Sequence, residues 1–252
     1  MSFATDQLVF TPHDVDLRQS PFKGAIKEET FVLGAFNPGL ARLPNGNLLL
    51  MIRVAEALRH PLADSHMRSI RWDPKKGYVL DAYPLAEVNA DDPRKFRLLA
   101  HHSRVMALTS LSWLLPVELT SDGTSVVTVH YDKIISPQRS YQEYGIEDAR
   151  ISKIGGTYYM TTCSVSAERH STVLYTSTDG LNYTLQGPIL DHQNKDMLFF
   201  EGLIDGRFYA LTRPLGDLYF AYPPHSPWQP GPSINLATSP DGLHWRPVET
   251  PL

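Results

Sequence analysis

Residues 144–151 carry two neighbouring carboxylates and an arginine, and are the stretch of this sequence best suited to chemistry. Glu147 and Asp148 adjoin each other, Arg150 follows two residues later, and an apolar run typical of a strand continues to residue 162. A buried acid beside a fixed cation is a common arrangement for proton transfer. An isolated pair of this kind is more often a salt bridge at a strand edge, so its interpretation depends on the rest of the chain.

This stretch opens one of three segments that share a layout of strand, tight turn and strand. Their turns carry Asn-Gly, Gly-Gly and Asp-Gly, which are hairpin signals when apolar runs flank them. A further strand is predicted at residues 8–10, within an otherwise irregular start. The three predicted hairpins span residues 36–53, 148–160 and 201–213.

An Asp-Gly turn, followed in two cases by an aromatic residue, is a second repeated element. Its spacings are 57 and 62 residues, and residues 71–78 look like a degenerate further copy. Repeats of this length with several strand signals each predict the four-stranded blades of a β-propeller. The aspartates of the three clear copies are Asp122, Asp179 and Asp241.

Helical signals are sparse. Residues 54–59 and 92–99 are predicted to form single helical turns on connections between blades. Long helices alternating with strands are absent from the pattern, which argues against a parallel α/β fold. We therefore expect an all-β fold, with an N-terminal strand and linker at residues 1–30 and a single propeller domain of about four blades at residues 31–252.

Composition and charge exclude several classes of function. The chain has 252 residues and a net charge of −4, without the basic footprint of a nucleic-acid binder. No run reaches the length of a membrane span, the start lacks a signal peptide, and Cys163 is the only cysteine, so the expected location is the cytoplasm. The ten histidines form no metal-binding motif, so no metal is expected.

The predicted hairpins should deliver polar side chains to one cavity, because the inner strand of each propeller blade lines the central channel. Carboxylates, amides and cations that converge there suit a polyhydroxylated or phosphorylated ligand. The plainer alternative is that they are ordinary polar residues at strand ends. The residues concerned are Asn37, Arg53, Glu147, Asp148, Arg150, residues 194–196 and Arg213.

Five short motifs, in the same order and at similar spacings, resemble those of glycoside hydrolase family 130, the β-mannoside phosphorylases and β-1,2-mannosidases. The resemblance covers about residues 36–245 and implies a five-bladed β-propeller. The motifs are Phe-Asn-Pro-Gly at 36–39, Arg-Val-Ala-Glu at 53–56, Gly-Ile-Glu-Asp-Ala-Arg at 145–150, Lys-Asp-Met-Leu-Phe-Phe at 195–200 and Leu-Thr-Arg-Pro at 211–214.

For this chain the resemblance implies cleavage of a β-mannoside oligosaccharide with inversion of the sugar. Asp148 would be the general acid, and in the phosphorylases its proton travels through a mannose hydroxyl. Asn37 and Arg53 would hold the mannosyl unit. Lys195 and Arg213 would bind inorganic phosphate as the co-substrate, and no other cofactor is expected. The remaining substrate contacts would be Glu147, Arg150 and Asp196.

The sequence departs from the family pattern in several places. Ala149 replaces the usual proline, Lys195 stands where the phosphorylases usually carry arginine, and Thr212 replaces a frequent histidine. Family members typically continue by a further blade that completes the phosphate site, so the resemblance implies that the last blade is missing or incomplete here. An open propeller exposes a sheet edge, so we expect a homo-oligomer or another partner to cover it.

Phosphorolysis is favoured over hydrolysis because Arg213 keeps a cation where the hydrolases tend to carry carboxylates. Hydrolysis stays open, with Glu201 or Asp196 as the base for water. A second alternative is a truncated propeller that binds sugar without activity. A third is a furanosidase that uses Asp148 and Glu201, although Asn37 stands where its nucleophilic aspartate would be expected.

Overall fold

A computed structural model describes residues 6–92, 94–100, 105–215 and 233–248 of the chain. Within these ranges the chain forms eighteen strands in five sheets and no α-helix, which confirms the all-β class. No helix in these ranges is long and apolar enough to cross a membrane. Short 3-10 turns lie at Pro12–Asp14, Leu17–Gln19, Leu85–Glu87, Tyr131–Lys133 and Ser140–Gln142.

Three of the sheets have four antiparallel strands each and are called blades 1, 2 and 3 below. Blade 1 has the strand order β1-β2-β9-β10, blade 2 has β11-β12-β13-β14, and blade 3 has β15-β16-β17-β18. The strands are β1 (Thr30–Arg42), β2 (Leu48–Leu58), β3 (Leu62–Ala63), β4 (His66–Asp73), β5 (Gly77–Pro84), β6 (Val88–Asp92), β7 (Lys95–Leu98), β8 (Met106–Leu108), β9 (Ser110–Leu119), β10 (Val126–Val129), β11 (Ile146–Ile154), β12 (Thr157–Val165), β13 (His170–Ser177), β14 (Thr184–Pro188), β15 (Asn194–Phe199), β16 (Phe208–Pro214), β17 (Asn235–Ser239) and β18 (Arg246–Pro247).

The remaining two sheets have three strands each, β3-β4-β5 and β6-β7-β8. Both lie in the chain between β2 and β9, so they form an insertion within blade 1. Residues 71–78, the degenerate copy of the Asp-Gly turn, lie at the hairpin of β4 and β5, where Asp73 accepts hydrogen bonds from the backbone of Lys75 and Lys76. This degenerate copy therefore belongs to a separate sheet and not to a four-stranded blade.

The Asp-Gly turns mark the same place in every blade. Asp122 lies between β9 and β10, Asp179 between β13 and β14, and Asp241 between β17 and β18. Each turn therefore joins the third strand of a blade to its fourth. This equivalence confirms that the repeat read from the sequence is a structural repeat, and it aligns β1, β11 and β15 as the inner strands.

Apolar layers join the blades. Met51 and Leu114 of blade 1 pack with Met160 of blade 2, and Leu174 of blade 2 packs with Phe199 of blade 3. The opposite face of blade 1 is covered by the N-terminal segment and by β4 and β5, in a cluster that includes Phe22, Ile70 and Trp113. Blade 1 is thus buried on both faces, and the inner strand β11 contacts both β1 and β15.

Several local predictions were wrong. Residues 8–10 form no strand, and residues 54–58 continue β2, where all five side chains, including Glu56, are buried. The helical turn predicted for residues 92–99 is instead largely strand β7. The third hairpin begins at β15 and not at residue 201, because Gly202, Asp205 and Gly206 take positive φ angles within the connecting turn.

Candidate active site

The three inner strands are irregular at the same place. β1, β11 and β15 each break register with the neighbouring strand at a bulge. The bulged residues Asn37, Asp148 and Asp196 have φ angles of 47°, 53° and 57°. Asn and Asp tolerate this left-handed backbone better than other residues that carry a side chain. Bulges of this kind re-aim side chains and are common beside active sites.

The bulges place three pairs of neighbours in equivalent positions. In each blade, the residue just before the bulge of the inner strand lies directly opposite a residue of the second strand. The same pairing therefore repeats in all three blades. The pairs are Phe36 with Arg53, Glu147 with Cys163, and Lys195 with Arg213.

Asp148 is the centre of this cluster and is almost fully buried. Its Oδ1 accepts hydrogen bonds from Asn37 Nδ2 at 2.9 Å and from Arg53 Nη1 at 3.0 Å. The Nζ of Lys195 lies 3.7 Å from its other oxygen. The carboxylate is therefore held by one residue from each of β1, β2 and β15.

Glu147, the neighbouring carboxylate, is equally buried and shares the same two cations. It accepts hydrogen bonds from Arg53 Nη2 at 2.7 Å and from Lys195 Nζ at 2.8 Å. Two adjacent buried carboxylates repel each other unless cations compensate them. Arg53 and Lys195 provide that compensation by bridging Glu147 to Asp148.

The electrostatic balance at Asp148 favours the ionised form. Burial alone raises the pKa of Asp148, but the hydrogen bond from Asn37 and the charges of Arg53 and Lys195 outweigh burial and leave the pKa below its usual value. Burial lowers the pKa of Lys195, and the charge of Glu147 reverses this and raises it. In the ligand-free protein the pair is therefore a carboxylate and an ammonium at neutral pH.

A more exposed half of the cluster surrounds Asp196. Arg213 forms an ion pair with one oxygen of Asp196, and the Nη2 of Arg150 lies 3.8 Å from the other. The side chains of Arg150 and Arg213 are 33% and 39% exposed, against 16% for Arg53. Cations that solvent can reach thus lie beside the buried carboxylates.

The eight residues singled out from the sequence form two groups of contacts, one around Glu147 and Asp148 and one around Asp196, and the groups adjoin where Lys195 precedes Asp196 on β15. Arg53 does not end the second strand as predicted, because it lies in the middle of β2, opposite Phe36. The residues that the sequence reasoning assigned to the site are Asn37, Arg53, Glu147, Asp148, Arg150, Lys195, Asp196 and Arg213.

Three further side chains at the cluster were not singled out. The Phe36 ring lies against the Arg53 guanidinium, with 4.9 Å from Cζ to the ring centroid. Cys163 is buried opposite Glu147 on β12, and burial raises its pKa to about 12, so it stays a neutral thiol. Ser112 accepts a hydrogen bond from Arg53 Nε at 3.0 Å. Phe36 lies in one of the five motifs, whereas no sequence pattern pointed to Cys163 or Ser112.

The cluster lies apart from two cavities found elsewhere in the described residues. One of about 310 Å³ lies between residues 132–138 and the turn before β14, and another of about 340 Å³ lies beside Trp245. None of the eight cluster residues lines either cavity. In the described ranges no three His, Cys, Asp or Glu side chains are grouped as a metal site. The chemistry that the cluster itself supports is acid catalysis and the binding of an anion or polyol.

Known proteins match the chain over much of its length. A model for glycoside hydrolase family 130, described as β-1,4-mannooligosaccharide phosphorylase, matches residues 107–252. A β-1,2-mannobiose phosphorylase from Listeria innocua is 36% identical over 191 residues, which is 75% of this chain and 53% of that protein. A 1,2-β-oligomannan phosphorylase from Thermoanaerobacter sp. is 31% identical over 108 residues, 41% of this chain and 36% of that protein.

A solved structure resembles the chain over most of its length. The β-1,2-mannobiose phosphorylase from Listeria innocua, in complex with β-1,2-mannobiose, aligns with a TM-score of 0.76 and 32% identity. The alignment covers 94% of this chain and 62% of that one. The chain thus spans between about a third and two thirds of the length of these relatives. Because the family model matches more than half of the chain, the chain belongs to glycoside hydrolase family 130.

Proposed function

We propose that this chain carries the catalytic site of a phosphorylase that cleaves β-1,2-linked mannosides with inversion and releases α-mannose 1-phosphate. The observation that carries the proposal is the position of Asp148, a buried carboxylate held by Asn37, Arg53 and Lys195 beside more exposed cations. The two phosphorylases similar to this chain act on β-1,2-mannobiose and 1,2-β-oligomannan by their names, which supports this linkage.

The charge of the cluster favours phosphate as the nucleophile. Its four cations and three carboxylates leave one positive charge in excess. Lys195 and Arg213 face each other across β15 and β16, so a phosphate between them would find donors from both strands. An anionic nucleophile gains more from these groups than neutral water does. The cations are Arg53, Arg150, Lys195 and Arg213, and the carboxylates are Glu147, Asp148 and Asp196.

In the proposed reaction a phosphate oxygen attacks the anomeric carbon from the face opposite the leaving sugar. The bond from that carbon to the glycosidic oxygen breaks as the new C–O bond forms, and Asp148 supplies the proton that the departing oxygen takes up. A mannose hydroxyl relays this proton where Asp148 does not touch the glycosidic oxygen. Asn37 and Arg53 orient Asp148 and the mannosyl unit, with Glu147, Arg150 and Asp196 as further contacts to the sugar.

Asp148 must gain a proton before it can act as an acid, because its pKa is lowered in the ligand-free protein. Bound phosphate attracts Lys195 and offsets its charge, and the sugar removes water from the carboxylate. Both changes raise the pKa of Asp148. The acid is thus prepared only when both ligands are present, which limits unproductive proton transfer.

Hydrolysis is the second candidate function, with Asp196 as the base that activates water. Asp196 already accepts from Arg213, and such a pair can orient a water molecule. Glu201 is less suited to this role, because it is exposed and follows the end of β15 remote from Lys195. The same position of Glu201 disfavours the furanosidase alternative.

The fold that we propose for this family member is a five-bladed propeller, and blades 1 to 3 form part of it.

The deciding experiment incubates the protein with β-1,2-mannobiose in the presence and absence of inorganic phosphate. We expect α-mannose 1-phosphate and mannose only when phosphate is present. Release of free mannose alone, at the same rate without phosphate, would establish hydrolysis instead. Binding of the disaccharide without turnover, unchanged in Asp148→Asn, would support the sugar-binding propeller without activity.

A further inference from the structure

Arg53 uses all three nitrogens of its guanidinium group within the protein. Nη1 donates to Asp148 and Nη2 to Glu147, while Nε donates to Ser112 Oγ at 3.0 Å. The Phe36 ring covers the group from β1. Two carboxylates and one hydroxyl therefore fix the plane of a single cation, and Ser112 is the neutral member of that set.

Ser112 lies where blade 1 meets blade 2. It is 3% exposed on β9, and its backbone forms an isolated bridge with Gly145. A Cβ atom on Gly145 would lie only 2.7 Å from the backbone nitrogen and oxygen of Ser112, so the two chains are in close contact. Gly145 directly precedes β11, two residues before Glu147. The backbone of Ser112 is thus fixed relative to the strand that carries both carboxylates.

We propose that Ser112 is a positioning residue that aims Arg53 at the catalytic carboxylate. The proposal rests on the phosphorylase function proposed above. Without the hydroxyl, the buried Nε–H of Arg53 loses its acceptor and the guanidinium can rotate about its stem. Rotation changes the distances to Asp148 and Glu147 together, because both accept from the same planar group.

The charged surroundings of Asp148 define the expected effect on pH dependence. Arg53 on β2 and Lys195 on β15 are its cations, Glu147 is the adjacent carboxylate on β11, and Cys163 on β12 is a neutral thiol. Asn37 on β1 contributes a neutral donor. Loosening Arg53 removes part of the favourable charge, so the ionised form of Asp148 becomes less stable.

The test compares Ser112→Ala, Ser112→Thr and Ser152→Ala in phosphorolysis. We expect Ser112→Ala to lower kcat roughly tenfold, while KM for phosphate changes little because Ser112 does not contact Lys195 or Arg213. Ser112→Thr keeps a hydroxyl and should recover most of the activity. Ser152 is equally buried on β11 and donates to Phe199, away from the cluster, so Ser152→Ala is the matched control.

A merely structural role for Ser112 makes a different prediction. If Ser112 only supports the fold, Ser112→Ala should have a lower unfolding midpoint and an unchanged pH profile of kcat/KM. If Ser112 positions Arg53, the descending limb of that profile should move to higher pH. Normal kcat and a normal pH profile in Ser112→Ala, or equal impairment in Ser112→Thr, would overturn the proposal. If Ser112→Ala does not fold, the nearly isosteric Ser112→Cys carries the same test, because a thiol is a weak acceptor.

Failure of the proposed function can be separated from failure of this inference. If the wild-type protein shows no phosphorolysis, the titration of Asp148 can still be followed by carbon-13 NMR of the ligand-free protein. We expect a higher pKa of Asp148 in Ser112→Ala than in the wild type and in Ser152→Ala. An unchanged titration in Ser112→Ala would contradict it whatever the enzyme activity.

Discussion

The side-chain amide of Asn37 donates a 2.9 Å hydrogen bond to Asp148, and the two residues occupy the same bulged position in blades 1 and 2. The repeat thus brings equivalent residues together, one as an amide and the other as a carboxylate. An amide donor stabilises the ionised carboxylate without adding a charge. In the third blade the equivalent Asp196 pairs with Arg213 instead.

Asn37→Asp should shift the pH dependence of phosphorolysis. Aspartate tolerates the left-handed backbone at this position, but a second carboxylate beside Asp148 raises the pKa of the pair. Because the acid must be protonated, kcat/KM falls as the pH rises above that pKa. The descending limb should therefore move about one unit or more to higher pH.

The control for this prediction is Asn45→Asp. Asn45 also donates to a buried carboxylate, Glu118 at 2.9 Å, but it lies in the turn between β1 and β2, away from the cluster. It should leave the pH profile of kcat/KM unchanged. A wild-type profile in Asn37→Asp would show that the contact with Asp148 does not tune the acid.

Arg213→Gln should weaken phosphate binding. The variant loses a cation that is 39% exposed. Because hydrogen bonds to charged groups are strong, their loss should raise KM for phosphate roughly 10- to 100-fold. Steady-state kinetics at saturating β-1,2-mannobiose measures this value. Arg207→Gln is the matched control, because Arg207 belongs to the same blade and contacts Thr238. Equal KM values in the two variants would remove Arg213 from the phosphate site.

Gly145→Ala should destabilise the fold at the contact between blades 1 and 2. Gly145 has a φ of 116°, and an added Cβ would meet the backbone of Ser112. Gly187 has a similar φ of 113° but open space around it, so Gly187→Ala reports the backbone strain alone. Overpacking should cost Gly145→Ala about 1–3 kcal/mol more than Gly187→Ala in urea unfolding. Equal unfolding free energies of Gly145→Ala and Gly187→Ala would mean that the contact between blades 1 and 2 adjusts to the added methyl group without cost.

Much of this architecture could be predicted from local sequence signals. The Asp-Gly turns at Asp122, Asp179 and Asp241 located the last hairpin of each blade, because turn chemistry depends on a few adjacent residues. The eight candidate site residues were singled out through motif order and aligned hairpin positions. The contact between Arg53 and Ser112 spans 59 residues and an intervening insertion of two sheets, so no local pattern could reveal it. Likewise, the helical turn predicted over residues 54–59 was wrong, because the local sequence did not show that both faces of β2 are buried there.

Glu56 should give the folded protein an unusual dependence of stability on pH. This buried carboxyl accepts from Ser20, Thr30 and Trp113 and forms no ion pair within the described residues, and burial raises its pKa above the usual 4.5 despite these donors. A group with a raised folded pKa stabilises the fold fully below its unfolded pKa. That stabilisation is lost as the pH rises through the folded pKa.

The measurement is the unfolding free energy of the wild type and of Glu56→Gln, from urea titrations between pH 4 and pH 7. Relative to this neutral variant, the wild type should lose stability as the pH rises across the range. Glu87→Gln, at an exposed position, is the control and should show no such trend. A constant difference between the wild type and Glu56→Gln would contradict the burial argument.

The central claim is that Asp148 delivers the proton to the leaving group, and Asp148→Asn tests it most directly with two mannosyl donors. One donor is β-1,2-mannobiose, whose leaving sugar needs the proton. The other carries a strongly acidic phenol that departs without one. We expect phosphorolysis of the disaccharide to fall by roughly 10²–10⁴, and that of the activated donor to stay nearly normal. Equal losses on both donors, or wild-type turnover of the disaccharide, would contradict the assignment of Asp148 as the acid.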